Sequence, residues 1–224
     1  MKSKSNHFQT IAATLLIGIG TTLLTTSPAL AAVVTPDSVT VATVTGPQFS
    51  TVDVPVFIRD SSGTPLGLDQ PAGFHIQAYA IKVNYSPAAA VQSITFTRGG
   101  ITTPLTPASE SSPTSAGSIS LIDSFSEATN PIPLTLNGAL PGDQVATLHV
   151  TLSPAATPGT IITLTLDPTS LTQLSNDTGT VGEMVSNGAL TLVSGAVTVV
   201  PSVPALGHIA LLVLAISLAF IAIR

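Results

Sequence analysis

Apolar and polar residues alternate one by one in several stretches of this chain, the period of a β-strand that turns one face to a core. Val52, Val54, Val56 and Ile58 alternate with Thr51, Asp53, Pro55 and Phe57. Tyr79, Ile81, Val83 and Tyr85 alternate with Ala78, Ala80, Lys82 and Asn84, which puts the first set toward a core and Lys82 and Asn84 outside. Val145, Leu148, Val150 and Leu152 mark another strand, even in its alternation only from Leu148 onward. Further strands are predicted over 39–44, 91–98, 118–125, 132–136, 160–166, 189–193 and 196–200. Turn signals separate them: Ser86-Pro87, Pro141-Gly142-Asp143, Pro158-Gly159, Asn187-Gly188 and Ser194-Gly195. About nine or ten short strands without a long helix predict an all-β fold, an antiparallel β-sandwich with jelly-roll or Greek-key connections. Two stretches rich in Ser, Thr, Pro and Gly, 59–75 and 99–117, are expected to project as loops.

The two ends read differently. Lys2 and Lys4, an apolar run over 11–24 and the small residues Ala29-Leu30-Ala31-Ala32 make residues 1–32 a secretory signal peptide, with cleavage near Ala31 or Ala32. Residues 33–200 are then one domain and 201–207 a short linker. From Ile209 to Ile223 the only polar residue is Ser217, and Arg224 follows. Counted from Val203 the apolar stretch has 21 residues, long enough as a helix to cross a hydrocarbon core of about 30 Å. Residues 208–224 are therefore expected to form a transmembrane or sorting helix, with the domain exported to the cell envelope. The motif Val203-Pro204-Ala205-Leu206, the apolar stretch and the basic residue after it resemble the C-terminal sorting tails of Gram-negative envelope proteins, the PEP-type and IPTL-type signals. That resemblance implies a membrane protease cutting near Pro204, so the domain is either membrane-anchored or extracellular after processing.

All eleven carboxylates fall within 33–200, opposed there only by Arg59, Lys82 and Arg98. A surface that acidic repels phosphate backbones and excludes nucleic acid as a partner. The chain has no cysteine, which removes a disulfide scaffold and thiol chemistry. His75 and His149 are the only histidines of the domain, no Gly-x-Ser-x-Gly elbow accompanies them, and Glu110, Glu127 and Glu183 are scattered over loops and turns. No enzyme, cofactor or metal is expected. Asn176-Asp177-Thr178-Gly179 near Glu183 offers oxygen ligands, but without the ordered acidic spacing of a calcium loop it reads as a turn.

The order of motifs resembles a cohesin domain. Val41 to Gly46 followed by Thr51-Val52-Asp53-Val54-Pro55-Val56 is similar to the opening strand, Gly-centred turn and Val-x-Val-Pro-Val strand of that family. Ala78 to Pro87 ends in Tyr85-Ser86-Pro87 where the family has Tyr-Asp-Pro. Pro141-Gly142-Asp143 through Leu152, Pro158-Gly159-Thr160 through Leu166, Asn187-Gly188 and Gly195 to Val199 follow in the family's order. The resemblance spans 38–200 and implies a nine-stranded jelly roll. It also implies protein–protein recognition of dockerin modules through one sheet face, often in polysaccharide-degrading assemblies. Positions that carry polar contact residues in dockerin-binding members are Ala78, Ala80 and Ser86 here, which leaves Lys82 and Asn84 as the partner-binding candidates. The fold is shared with carbohydrate-binding modules, so a second expectation is a carbohydrate-binding or exopolysaccharide-matrix surface protein. A structural surface protein is a third. The chain lacks Trp, and both tyrosines fall on the core-facing positions, which takes away the usual sugar-stacking platform.

Overall fold

A computed structural model describes residues 34–169 and 171–202; the expected signal peptide and hydrophobic tail lie outside them. Strands β1 (Asp37–Val41), β2 (Thr43–Pro47), β3 (Thr51–Arg59), β4 (Ala78–Ser86) and β5 (Val91–Arg98) come first. The short β6 (Ser109–Ser111) and β7 (Thr114–Ser115) precede β8 (Ser118–Ser124), β9 (Asp143–Leu152) and β10 (Ile161–Leu166). β11 (Gln173–Ser175), β12 (Gly182–Glu183), β13 (Leu190–Val193) and β14 (Gly195–Val200) complete the order. Among the described residues the only helices are three-residue 3-10 turns.

One sheet runs β13-β1-β3-β9-β5. The other runs β12-β11-β4-β10-β14-β2, with β8 on the free side of β4 and with β6 and β7 on β8. The alternating sets close over each other between the layers: Val54, Val56 and Ile58 from β3, Tyr79, Ile81 and Val83 from β4, and Leu148 and Val150 from β9 are at most 1% exposed. Burial of such side chains contributes roughly 1.5–3 kcal/mol each, the main force holding the layers together.

The sandwich is not wholly antiparallel. β1 pairs with β13 in parallel and β2 pairs with β14 in parallel. The stretch 39–44, expected as one strand, breaks at Ala42 and passes from the first sheet to the second. The chain around Ser194-Gly195, expected as a turn, makes the same passage in the same direction. Gly46, expected at the centre of a turn, lies inside β2, where a Cβ would come within 2.0 Å of the Val52 side chain.

Three other expectations are corrected. Residues 132–136 form no strand beyond a single bridge from Leu136 to Asp60, although Ile132 and Leu134 are buried. Pro131 and Pro133 remove two ladder donors there. Residues 59–75 do not project: Asp60, Ser61, Thr64 and Leu66 are at most 2% exposed. Residues 99–117 extend the second sheet through β6 and β7, and Thr102 is buried with its hydroxyl donating to Val145 O at 2.7 Å.

Carboxylates fold the 59–75 segment inward. The amides of Ser61, Gly63, Leu66 and Leu68 donate to Asp37, Asp69, Glu183 and Asp60 at 2.7, 2.8, 2.8 and 2.9 Å. Asp37 Oδ2, Asp60 Oδ1 and Glu183 Oε2 are buried with no amide or hydroxyl donor. Burial pushes Asp37 up to about 9, with a hydrogen bond to Glu183 and that group's charge adding to the effect. Burial also raises Glu183 and Asp60. Two carboxyls buried side by side thus hold protons to higher pH than free carboxyls do.

Candidate functional site

The outer face of the second sheet is built from β10, β4, β8 and β6. Because alternate residues of β4 fill the core, Ala78, Ala80, Lys82 and Asn84 line its other side, each half-buried. Across the ladder Ala80 stands opposite Ile122, Lys82 opposite Ser120 and Asn84 opposite Ser118 on β8. On the other flank Asn84 is opposite Thr165 of β10. Ser109 and Ser111 of β6 extend the same surface beyond Ser124 and Ile122. The small side chains make this face flat. Three residues break the pattern: Lys82 carries charge, Ile122 is 42% exposed amid serines and alanines, and Ile161, outward at the start of β10, is 56% exposed.

Lys82 sits where the neighbour of β4 changes. β10 pairs with 83–86 and β11 with 78–80. Asp167 and Thr172 fill the gap, as Asp167 N donates to Lys82 O at 2.9 Å and Lys82 N donates to the buried Thr172 Oγ1 at 3.2 Å. The Lys82 ammonium lies 3.2 Å from Asp167 Oδ2. The hydroxyl and amide of Thr169 hold Asp167 down to about 2, and Lys82 adds to this. The ion pair is partly exposed, so Lys82→Ala should cost less than about 1 kcal/mol in urea unfolding. A loss of several kcal/mol would instead make the lysine part of the scaffold.

Ile122 was missed in the sequence, although a signal was there. In the run Ser118 to Ser124 the inward positions are Ile119, Leu121 and Asp123, and Ile122 is out of phase with them. The partner anomaly is Asp123, an acid at a core position and 1% exposed. The Tyr79 hydroxyl donates to its Oδ2 at 2.8 Å. Burial raises Asp123 to about 6 against the lowering effect of that hydrogen bond, and burial likewise pushes the Tyr79 hydroxyl up. Tyr79 is fully in the core as expected, whereas Tyr85 is half-buried at the core's margin.

The remaining candidates lie elsewhere. On the outer face of the first sheet His149 Nδ1 meets Asp53 Oδ1 at 2.6 Å, and its Nε2 meets Thr97 Oγ1 at 2.9 Å. This has the connectivity of a hydroxyl–imidazole–carboxylate relay. It spans three paired strands, β3, β9 and β5, on an open pleated surface, with the Asp53 side chain 68% exposed. The three side chains meet across neighbouring strands of one sheet face, so the trio works as cross-strand pairing. His75 Nδ1 faces Glu127 Oε1 at 2.9 Å, and its Nε2 faces Gln70 O at 3.0 Å. These groups border a shallow cleft of about 340 Å³ lined by Ala72, Gly73, Glu127, Ala128 and Asp177. The Asn176 side chain closes its own turn, accepting from Val181 N and donating to Gly73 O. Glu183 is not beside that turn's oxygens but points to Leu66 and Asp37. Among the described residues no group of three or more His, Asp or Glu side chains is placed to hold a metal ion.

No protein-family model matches the sequence, and no curated protein matches it. Solved structures do match in fold. The sixth cohesin of scaffoldin B from Acetivibrio cellulolyticus, solved in complex with a Cel5 dockerin mutant, is 18% identical, with 74% of this chain and 99% of that one covered and a TM-score of 0.52. The cohesin CaCohA2 of Clostridium acetobutylicum is 19% identical over 76% and 95% of the two chains, with a TM-score of 0.52. A cohesin from Clostridium thermocellum, solved as a Coh-OlpA-Doc918 complex, is 16% identical over 74% and 100%, with a TM-score of 0.51. The fold of this chain is therefore cohesin-like.

Proposed function

We propose that this chain is a non-catalytic protein-recognition module that binds a dockerin-like or other envelope protein across the outer face of β10, β4, β8 and β6. The observation that supports it most is the cohesin-like sandwich, shared with proteins solved in complex with dockerins. The face suits such a role: it is lined by small side chains, it carries the exposed Ile122 opposite Ala80, and Lys82 and Asn84 follow along β4. An exposed isoleucine ringed by small polar groups is a fitting anchor for a partner's apolar side chain, with a neighbouring cation for orientation. Pull-down from envelope and secreted fractions should capture a protein partner. Ile122→Asp should then weaken it by about 100-fold and Lys82→Glu by about tenfold. Capture of nothing under several growth conditions would remove the reading, and equal binding by Ile122→Asp would move the interface off this face.

In the same reading residues 1–32 export the domain, and the apolar segment after Ser202 attaches it to a membrane or serves as a sorting tail. Intact-mass measurement of the mature protein tests the tail, since a chain complete to Arg224 rules out cleavage near Pro204. A glycan-binding surface protein is the second reading, and one observation favours it. The acidic cleft at Gly73 and Glu127 adjoins Phe74, which is 43% exposed. A glycan array without signal would remove it.

A further inference from the structure

The sandwich is polarised along its length, and the recognition face reaches its uncharged end at Ile161. β3 begins at Thr51 and ends at Arg59, while β10 begins at Ile161 and ends at Leu166. The ladders bring the starts of these strands to one pole, with the turn 47–50, the segments 86–90 and 153–161, and the end of β14 at Val200. None of those segments contains a charged residue. Asp53 and Asp167, the latter level with Lys82 midway along β4, sit between the poles, and the other carboxylates lie toward the charged pole, as do Arg59 and Arg98.

At the tip of the uncharged pole stands Phe49, 64% exposed and with φ of 65°. A bulky residue in left-handed backbone costs on the order of 1–2 kcal/mol. Phe49 gains little burial within the domain to offset that. Its turn is tied to the strand from which the chain leaves: Gln48 N donates to Val200 O at 3.0 Å, and Pro47 pairs with Val200. Ile161, 56% exposed, is opposite Thr198 on the same end. Val203, where the 21-residue apolar stretch begins, is three residues past Val200. Three residues span at most about 11 Å.

We propose that this uncharged pole is a lipid-contacting surface, with Phe49 and Ile161 seated in the membrane interface when the following apolar segment is inserted. The inference rests on the reading of that segment as a membrane span. Anionic headgroups repel a domain rich in carboxylates, so only the end without charge can approach the bilayer closely. An aromatic ring at headgroup depth removes apolar surface from water with no buried charge to desolvate.

The chain has no tryptophan, so Phe49→Trp supplies a single reporter. Ile161→Trp is a second reporter on the same pole, and Leu140→Trp, at a position 77% exposed near the other pole, is the contrast. Each full-length variant is reconstituted into vesicles of equal parts phosphatidylcholine and phosphatidylglycerol, floated after an alkaline wash, and measured with brominated lipid. The expected result is that all three float, and that the indole is quenched several-fold more strongly in Phe49→Trp and Ile161→Trp than in Leu140→Trp. Flotation with equally weak quenching in all three variants overturns the lipid-contacting pole and leaves membrane attachment standing. Failure to float overturns both. Blue-shifted emission from Phe49→Trp that bromine does not quench shows the tip covered by protein, a second copy or a recognition partner, and also overturns the proposal.

Discussion

Lowering the pH from about 9 to about 5 should stabilise this domain against urea, the reverse of the acid sensitivity usual when carboxylates are paired in the fold. Asp37 and Glu183 meet in the interior, each with one oxygen held by a backbone amide and the other buried without such a donor. Burial raises Asp37 to about 9 and Asp123 to about 6, from an ordinary value of 3.8. A raised folded-state value means that the folded chain holds a proton the unfolded chain has released. The stabilisation is complete below the unfolded value and is lost as pH climbs through the folded one. From about pH 9 to 6 the Asp37–Glu183 pair contributes the slope, roughly 1.4 kcal/mol per pH unit for each extra proton held. Between about 6 and 4 Asp123 adds its own, and Asp60, raised in the same direction, steepens the trend. Asp167, held down to about 2, opposes this only in stronger acid. Urea midpoints at pH 5, 7 and 9 check the expectation, and Asp37→Asn should flatten the profile above about pH 6. A wild-type stability that stays level or falls on acidification over that range would sink it.

Gly195→Ala should destabilise the domain by about 3 kcal/mol or more, a drop in Tm of roughly 6–12 °C for a domain of this size. Gly195 is where the second sheet-switching segment crosses the first. A Cβ there would stand 2.1 Å from the Ala42 carbonyl oxygen and 2.5 Å from that of Val41. Both obstacles are backbone, so no rotamer change relieves the clash, and parting the segments would break β1–β13 and β2–β14 pairing together. Gly182→Ala is the matched control, since its nearest neighbour is 3.6 Å away, and it should change stability by less than about 1 kcal/mol. Equal thermal midpoints for the two variants would show that the crossing can open at little cost.

The strands that were plain in the sequence are the ones whose side chains divide cleanly between oil and water. β3, β4, β5, β9 and β10 coincide with predicted segments to within a residue or two, because one face of each fills a common interior. β11 and β12 were not legible: three and two residues long, they are held by pairing to β4 and to each other rather than by a pattern of their own. For the candidate site, Lys82 and Asn84 were placed on the outer side from the alternation of β4 alone. Their neighbours Ile122, Ser120 and Thr165 needed the ladder, since pairing joins residues about 40 and 80 positions apart.

Local alternation thus determined that this chain forms a β-sandwich and which side of its main strands faces out, because the two-residue period is a property of the extended backbone itself. Tertiary structure alone decided that two segments change sheets in parallel and that the 59–75 segment folds inward. It also decided that several acids are buried, which raises the pH at which they give up their protons. Those outcomes depend on which distant backbone amides and carbonyls come into reach, and a carboxylate's charge state follows from that enclosure rather than from its place in the chain.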